Sequence, residues 1–267
     1  IEFDLFGRHL AINGYGLMIG LGLVAWVKIV GHEAKRLHFD RMSRTMTMSL
    51  LIFAVPIYLG GKGLYWLTQW GQEAPPVGDV QQGFVFFGSL LATLPVMAWR
   101  ARAVGVGCLE GLDVFCYGAP ITHALGRIGC FCAGCCYGHR SEQFWAVTFE
   151  HGRGLNGVAI HPVQLYEALG LVVLFAWMWW GVRKRKRFHG QVLLTYFLGY
   201  SALRVVTEYF RGDPGRRILF SDHEPLPGEP PAGLPTSVLI ALLVTLCGLV
   251  VLVTLRRRAR GDDSLAS

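Results

Sequence analysis

The chain has 267 residues, 52% of them hydrophobic and only 16% charged, with a mean hydropathy of +0.40. That apolar excess excludes an ordinary soluble domain and indicates an all-α integral membrane protein, organised as a single membrane domain over residues 1–267 because no long polar tract separates the apolar stretches. The net charge of +7 does not signal nucleic acid, since the basic residues form short clusters between apolar stretches, where membrane topology accounts for them.

Residues 10–27 carry no charge and approach the roughly 20 residues a helix needs to cross a bilayer. Gly16 and Gly20 within them have the spacing that lets helices pack closely. Residues 28–44, with Lys35, Arg36, Arg41 and Arg44 against Glu33 and Asp40, form a basic connector expected on the cytoplasmic side. A second span covers about 45–66, with an interruption expected near its far end at Gly60-Gly61-Lys62-Gly63. Lys62 is expected to snorkel to the interface.

Residues 69–82 are polar and predict an external loop. The third span, about 80–99, holds Gly83 to Ser89 and is followed by Arg100 and Arg102. A fourth begins near Val114 and passes through Pro120 and His123 into Gly126-Arg127-Ile128-Gly129-Cys130, ending near Gly138. His123 lies one helical turn before Arg127, so the two share a face.

Residues 139–160 are polar and predict a second external loop, with Phe144 and Trp145 at the membrane interface. His161-Pro162-Val163-Gln164-Leu165-Tyr166-Glu167 opens the fifth span, which ends in a basic run at 183–187. The sixth, about 190–210, embeds Arg204 and Glu208 four residues apart, on one helical face. A proline-rich external loop at 213–231 precedes a seventh span over about 231–255, closed by Arg256, Arg257, Arg258 and Arg260.

About seven transmembrane helices with the amino terminus outside and the carboxyl terminus cytoplasmic put every basic cluster inside, as the distribution of Lys and Arg requires. The same topology brings Arg127, Arg204, Arg211 and Lys62 toward the outer face. Guanidinium groups suit phosphate because their planar fork gives paired charge-assisted hydrogen bonds. A phospholipid headgroup is the nearest phosphate, and such a site stabilises charge developing on a phosphate leaving group.

No Ser-His-Asp set, P-loop or HExxH pattern is visible, and pairing of Glu167 with Glu208 depends on packing. Cys132-Ala133-Gly134-Cys135 is a CxxC flanked by Cys130 and Cys136. Metal sites generally draw ligands from two separated pairs, so no metal and no cofactor are expected. The simplest reading is small residues at a crowded helix end. Cys130, three residues from Arg127, is a candidate for an activated thiol.

These motifs together resemble the bacterial prolipoprotein diacylglyceryl transferase family, in order along most of the chain: Tyr15-Gly16-Leu17-Met18, Gly60-Gly61-Lys62, Gly83 to Gly88, the stretch from Gly126 to Gly138, the His161 to Glu167 segment, and Arg204 with Glu208 to Arg211. The resemblance implies an inner-membrane enzyme, active toward the external leaflet, that moves a diacylglyceryl group from phosphatidylglycerol to a lipobox cysteine in the signal-peptide region of a prolipoprotein, releasing glycerol phosphate. It implies Arg127 and Arg204 as headgroup-binding arginines. Tyr15, His161, Gln164, Tyr166 and Glu208 fall in matching positions. His123 joins the catalytic candidates, and Lys62, Gly129, Cys130, Gly138, Glu167 and Arg211 join the substrate-binding ones.

The chain departs from the family pattern at Phe87, where a histidine is usual, and at Cys130, Ala133 and Cys135, where Asn and an Asn-x-Glu are usual. His123, His161 and a Cys130 thiolate are then candidates to activate the acceptor thiol. A paralogue with another acceptor, a lipid or anion transporter and a membrane thiol oxidoreductase are the alternative readings.

Overall fold

The computed structural model describes residues 2–5, 8–11, 14–68, 86–149, 157–212, 218–219, 228–229 and 233–265. Among the described residues the fold is mostly helical, and four helices are long and apolar enough to cross a bilayer: Gly14–Arg36, Met46–Leu67, Val163–Arg185 and Ser237–Arg257. It is a membrane protein by that measure. The segments expected outside or spanning at 69–85, and most of 213–231, lie outside the described residues.

Two short strands, β1 (Glu2–Leu5) and β2 (Arg8–Ala11), pair antiparallel ahead of α1 (Gly14–Arg36). The expected connector after residue 27 is instead a continuation of α1, where Arg36 closes an ion pair one turn back on the buried Glu33. A second short helix, α2 (Asp40–Arg44), leads into α3 (Met46–Thr68), and α4 (Phe86–Ala103) and α5 (Cys108–Cys116) follow. The expected fourth span is two helices, because Gly118 and Pro120 end α5 and start α6 (Ala119–Cys132), proline being tolerated where a first-turn amide has no helical acceptor.

Next come β3 (Val147–Thr148) and β4 (Ala159–Ile160), paired antiparallel, and then α7 (Val163–Ala176). The chain leaves α7 through a π-helical turn at Trp177–Val182 and a 3-10 turn at Arg183–Arg185. Helix α8 (Gln191–Tyr209), the pair β5 (Ile218–Leu219) and β6 (Leu234–Pro235), and α9 (Thr236–Leu265) complete the order. These short strand pairs qualify the all-α expectation.

By backbone proximity the chain forms two compact units, Val27–Cys116, and Ile1–Trp26 with Tyr117–Ser267. In the first, α3 runs unbroken through Gly60 to Gly63, against expectation, because it needs that surface for packing. A Cβ at Gly60 would sit 2.4 Å from the Gly88 carbonyl oxygen of α4, so the backbones cross where only glycine fits. Arg100 donates to Ser49 (3.0 Å) and Thr45 (2.6 Å), and Phe53 meets Phe115 edge to face at 5.1 Å. Lys62 is 4% exposed, so it is buried rather than snorkelled.

In the second unit α7 and α8 lock reciprocally: Gly170 of α7 receives Leu203, and Gly199 of α8 receives Leu174. Thr122 of α6 donates to the Gly22 carbonyl of α1 at 3.1 Å. Leu169, Val173, Val206 and Leu246 are exposed while Gln164, Glu167, Arg204 and Glu208 are buried. Apolar outside and charged inside is the arrangement that lipid permits.

One end of this unit is tied by backbone bonds. Gly138 donates to His161 O (3.0 Å), His161 to His139 O (3.0 Å), His139 to Phe210 O (2.9 Å) and Gly212 to Tyr137 O (3.1 Å). The chain after α6, the entry to α7 and the exit from α8 are thereby held at one level. Gly138 sits where a Cβ would lie 2.5 Å from the His161 carbonyl oxygen. No side chain fits that approach.

Candidate functional site

Three helices each present polar groups at helical spacing. Helix α6 offers His123 and Arg127, α7 offers Gln164 and Glu167, and α8 offers Tyr196, Tyr200, Arg204 and Glu208 in steps of four, which is one stripe along its face. The cap described above sets their depth. Their meeting point is Glu167, 2% exposed.

Arg127 Nη2 lies 2.9 Å from Glu167 Oε1, and Arg204 Nη1 lies 3.5 Å from Oε2. Tyr200 Oη donates to Oε1 at 3.1 Å, and His123 Nε2 stands 3.9 Å away. Arg204 also pairs with Glu208 at 2.5 Å. The two carboxylates whose relationship depended on packing are therefore bridged by one guanidinium. Arg211, buried, lies within electrostatic reach of Arg204 and Glu167. Burying five charges is tolerable only because each cation faces an anion.

Three guanidinium groups against two carboxylates leave one net positive charge. Moreover, Arg127 Nε and Arg204 Nη1 are buried without a hydrogen-bond acceptor among the described residues. Such N–H groups are costly to bury unused. Arginine donors with no acceptor in a net-positive site suit an incoming monoanion.

His123 is held by Tyr196, whose hydroxyl lies 3.2 Å from Nδ1, and its ring packs on Tyr200 at 4.6 Å. Sequence reasoning missed Tyr196 and Tyr200. The signal was their step-of-four continuation upstream of Arg204.

Tyr15 of α1 comes to the same place. A Cβ at Gly129 would lie 3.1 Å from its ring, and its hydroxyl is within electrostatic reach of Arg127, Cys130, Cys135 and Cys136. His161, Tyr166 and Gly138 belong to the cap instead. Trp145 Nε1 donates to Tyr166 Oη at 2.7 Å, which leaves the Tyr166 proton for His161 Nδ1 at 3.0 Å. Burial and the neighbouring His139, ring centroids 4.9 Å apart, hold the His161 pKa below the ordinary histidine value. Lys62 lies in the other unit.

The cysteines group differently from the CxxC pattern. Gly134, at φ +62°, ends α6 in a Schellman motif: Gly134 N donates to Phe131 O (3.1 Å) and Cys135 N to Cys130 O (3.1 Å). That turn folds Cys135 back over Cys130. Cys136, also left-handed at φ +59°, brings a third thiol, and the three sulfurs lie within 4.8 Å of one another. Cys132 is exposed and packs at Gly14. Hydrogen bonds from the Cys130 and Cys135 thiols, with Arg211 and Arg127 nearby, hold Cys136 below the ordinary cysteine range. Gln164 Nε2 donates to the Cys135 carbonyl at 2.7 Å, tying this loop to α7.

Residues 3–254 match the family described as prolipoprotein diacylglyceryl transferase. The chain is 29% identical over 255 residues to the phosphatidylglycerol--prolipoprotein diacylglyceryl transferase of Clostridium tetani (strain Massachusetts / E88), covering 94% of this chain and 95% of the relative. It is 30% identical over 222 residues to the protein of that name, numbered 2, from Clostridium perfringens (strain 13 / Type A), covering 79% and 82%. Over 210 residues it is 31% identical to the Geobacter sulfurreducens protein of the same name, covering 76% and 79%.

Proposed function

Because the chain belongs to the prolipoprotein diacylglyceryl transferase family, we propose that it moves a diacylglyceryl group from phosphatidylglycerol onto the lipobox cysteine thiol of a prolipoprotein, releasing glycerol phosphate. The acceptor sulfur, after its thiol has lost its proton, attacks the diacylglyceryl carbon bonded to the phosphate oxygen; the C–S bond forms as that C–O bond breaks, and the electron pair leaves on the oxygen of glycerol phosphate.

Arg127 and Arg204 hold the phosphate. The observation that carries this role is their buried, unused N–H groups beside a single net positive charge. The incoming phosphodiester has one negative charge, so it neutralises the site and gives those donors an acceptor. As the bond to carbon breaks, charge grows on the same oxygens, and preformed donors stabilise it without reorganisation.

Glu167 and Glu208 position the two guanidinium groups, Tyr200 and His123 support Glu167, and Arg211 adds field. Tyr15, Gly129 and Cys130 form the acceptor side. His161, Tyr166, Gln164 and Gly138 hold the cap and the loop.

The protein sits in the bacterial inner membrane as one membrane domain of seven spans. The amino terminus is outside and the cap faces the external leaflet. Support comes from α7, whose entry lies at the cap and whose other end carries the basic run Arg183 to Arg187.

The test is to incubate the purified chain with phosphatidylglycerol and a lipobox peptide and to measure the peptide by mass spectrometry. A diacylglyceryl mass gain on cysteine is expected. Consumption of the lipid with no gain on the peptide points to another acceptor, and movement of lipid with no covalent product points to transport; either result overturns the proposal.

A further inference from the structure

We infer that Cys130, Cys135 and Cys136 form a zinc site whose open fourth position binds the acceptor cysteine as its thiolate. This rests on the transfer reading above and assigns how the acceptor is activated.

Three observations carry it. The first is geometry: the three sulfurs lie within 4.8 Å of one another, while thiolates on one tetrahedral zinc, at about 2.3 Å from the metal, stand about 3.8 Å apart. Half-buried cysteines, one in the last turn of α6 and two on the turn that follows it, close that difference by small side-chain rotations. Nor is the grouping accidental, since the Schellman turn and a left-handed Cys136 build it.

The second is charge: the cluster lies at the carboxyl end of α6, where unpaired carbonyls favour a cation, and a thiol that coordinates a metal gives up its proton. Zinc held by three cysteine thiolates leaves one net negative charge. A monovalent copper ion satisfied by three thiolates leaves two, with no coordination place to spare.

The third is position. The same loop is held to α7 by Gln164, whose Oε1 is buried without a hydrogen-bond partner among the described residues, and Tyr15 and Arg127 are within electrostatic reach of the thiols. The sulfur cluster therefore adjoins Arg127 of the proposed phosphate site, which is where an acceptor thiol must be delivered.

The chemistry closes. A free cysteine thiol, with a pKa of about 8.5, is mostly protonated at neutral pH, whereas a thiol that coordinates zinc is deprotonated. On binding, the acceptor gives its proton to solvent and its sulfur to the metal. That sulfur then attacks the lipid carbon, the C–O bond breaks, and the electron pair leaves on the phosphate. The thioether product has no charge, is a poor zinc ligand and leaves the fourth position open for the next thiol. Zinc is neither oxidised nor reduced.

The experiment uses the full chain, purified without a metal-binding tag, with zinc counted by elemental analysis. About one zinc per chain is expected, falling to background in Cys130→Ser and Cys136→Ser but unchanged in Cys132→Ser and Cys247→Ser. Replacing zinc by cobalt reports the fourth ligand without requiring catalysis: a lipobox peptide with its cysteine should intensify the thiolate-to-cobalt absorption, and the same peptide with serine should not.

Removing the metal from the unmutated chain should abolish transfer, and returning zinc should restore it, so the result does not depend on whether a cysteine variant folds. The zinc site is overturned if the chain binds no zinc after equilibration, if it closes over copper(I) with no response to the peptide thiol, if the thiols are isolated as a disulfide, or if metal-free protein transfers at the full rate. If zinc-loaded protein makes no thioether at all, the transfer reading fails, and the zinc count with the cobalt response still decides the site.

Discussion

Arg127 of α6 and Glu167 of α7 form an ion pair at 2.9 Å, with side-chain exposures of 13% and 2%. Neither charge belongs to a surface network, and each is far from the basic clusters at the other ends of the helices. Two helices are thus joined by charges that lipid would not tolerate singly, and the pairing holds one guanidinium edge while leaving Nε unused.

Removing the anion while keeping its shape isolates this effect. Glu167→Gln leaves Arg127 buried without its counter-charge, a loss on the order of 3–5 kcal/mol where no other anion steps in. In neutral detergent the variant should unfold at a lower temperature than the parent. Added phosphatidylglycerol should raise the variant's midpoint by more than the parent's; equal shifts would show that the lipid phosphate does not meet Arg127.

The two arginines proposed to bind phosphate differ from lysine by their fork. Arg127→Ala should eliminate measurable transfer, a loss of at least about 10²–10³-fold. Arg204→Lys keeps the charge and loses paired hydrogen bonding, so transfer should fall about 10-fold to 100-fold. Peptide mass gain against time measures both, and a fully active Arg127→Ala removes the central role.

Tyr200 and Tyr196 separate a bond to an anion from a bond to a neutral ring. Tyr200→Phe removes the donor to Glu167, worth about 1.5–3 kcal/mol for a charged partner, and Tyr196→Phe removes one to His123, worth about 0.5–1.5 kcal/mol. Chemical denaturation of the two variants in one detergent should rank Tyr200→Phe as the less stable.

The cap carries a pH dependence of known sign. The folded pKa of His161 lies below its unfolded value because of burial and His139, so below about pH 6.5 the unfolded chain binds more protons. Cap stability is complete above that pH and decreases as the pH falls through it. Thermal midpoints between pH 5 and 8 should therefore decline on the acid side, and His161→Gln should flatten that decline.

The membrane character and the mostly helical fold were legible in the sequence, because apolar length is a direct statement about lipid. The joint face of Arg204 and Glu208, and of His123 and Arg127, followed from helical spacing alone. Interruption of α3 at Gly60 was misjudged because glycine's meaning there comes from Gly88 of another helix, far outside any local window. Lys62 was misplaced for the same reason: burial is a property of what surrounds a residue. The thiol trio was invisible as a unit, since CxxC spacing suggests Cys132 with Cys135, whereas a left-handed turn selects Cys130, Cys135 and Cys136. Tyr200 was overlooked because an unremarkable tyrosine in an apolar helix becomes informative only beside Glu167.

Glu167 and Glu208 at first look adverse to a site built for anions. At the proposed phosphate site their effect is on turnover: the lipid phosphodiester brings one negative charge to a site with one net positive charge, but the severed glycerol phosphate carries two at neutral pH. Chemistry itself drives the pocket from neutral to negative, so the spent headgroup is expelled and the next intact lipid is the better-matched ligand. An all-arginine pocket would retain its product.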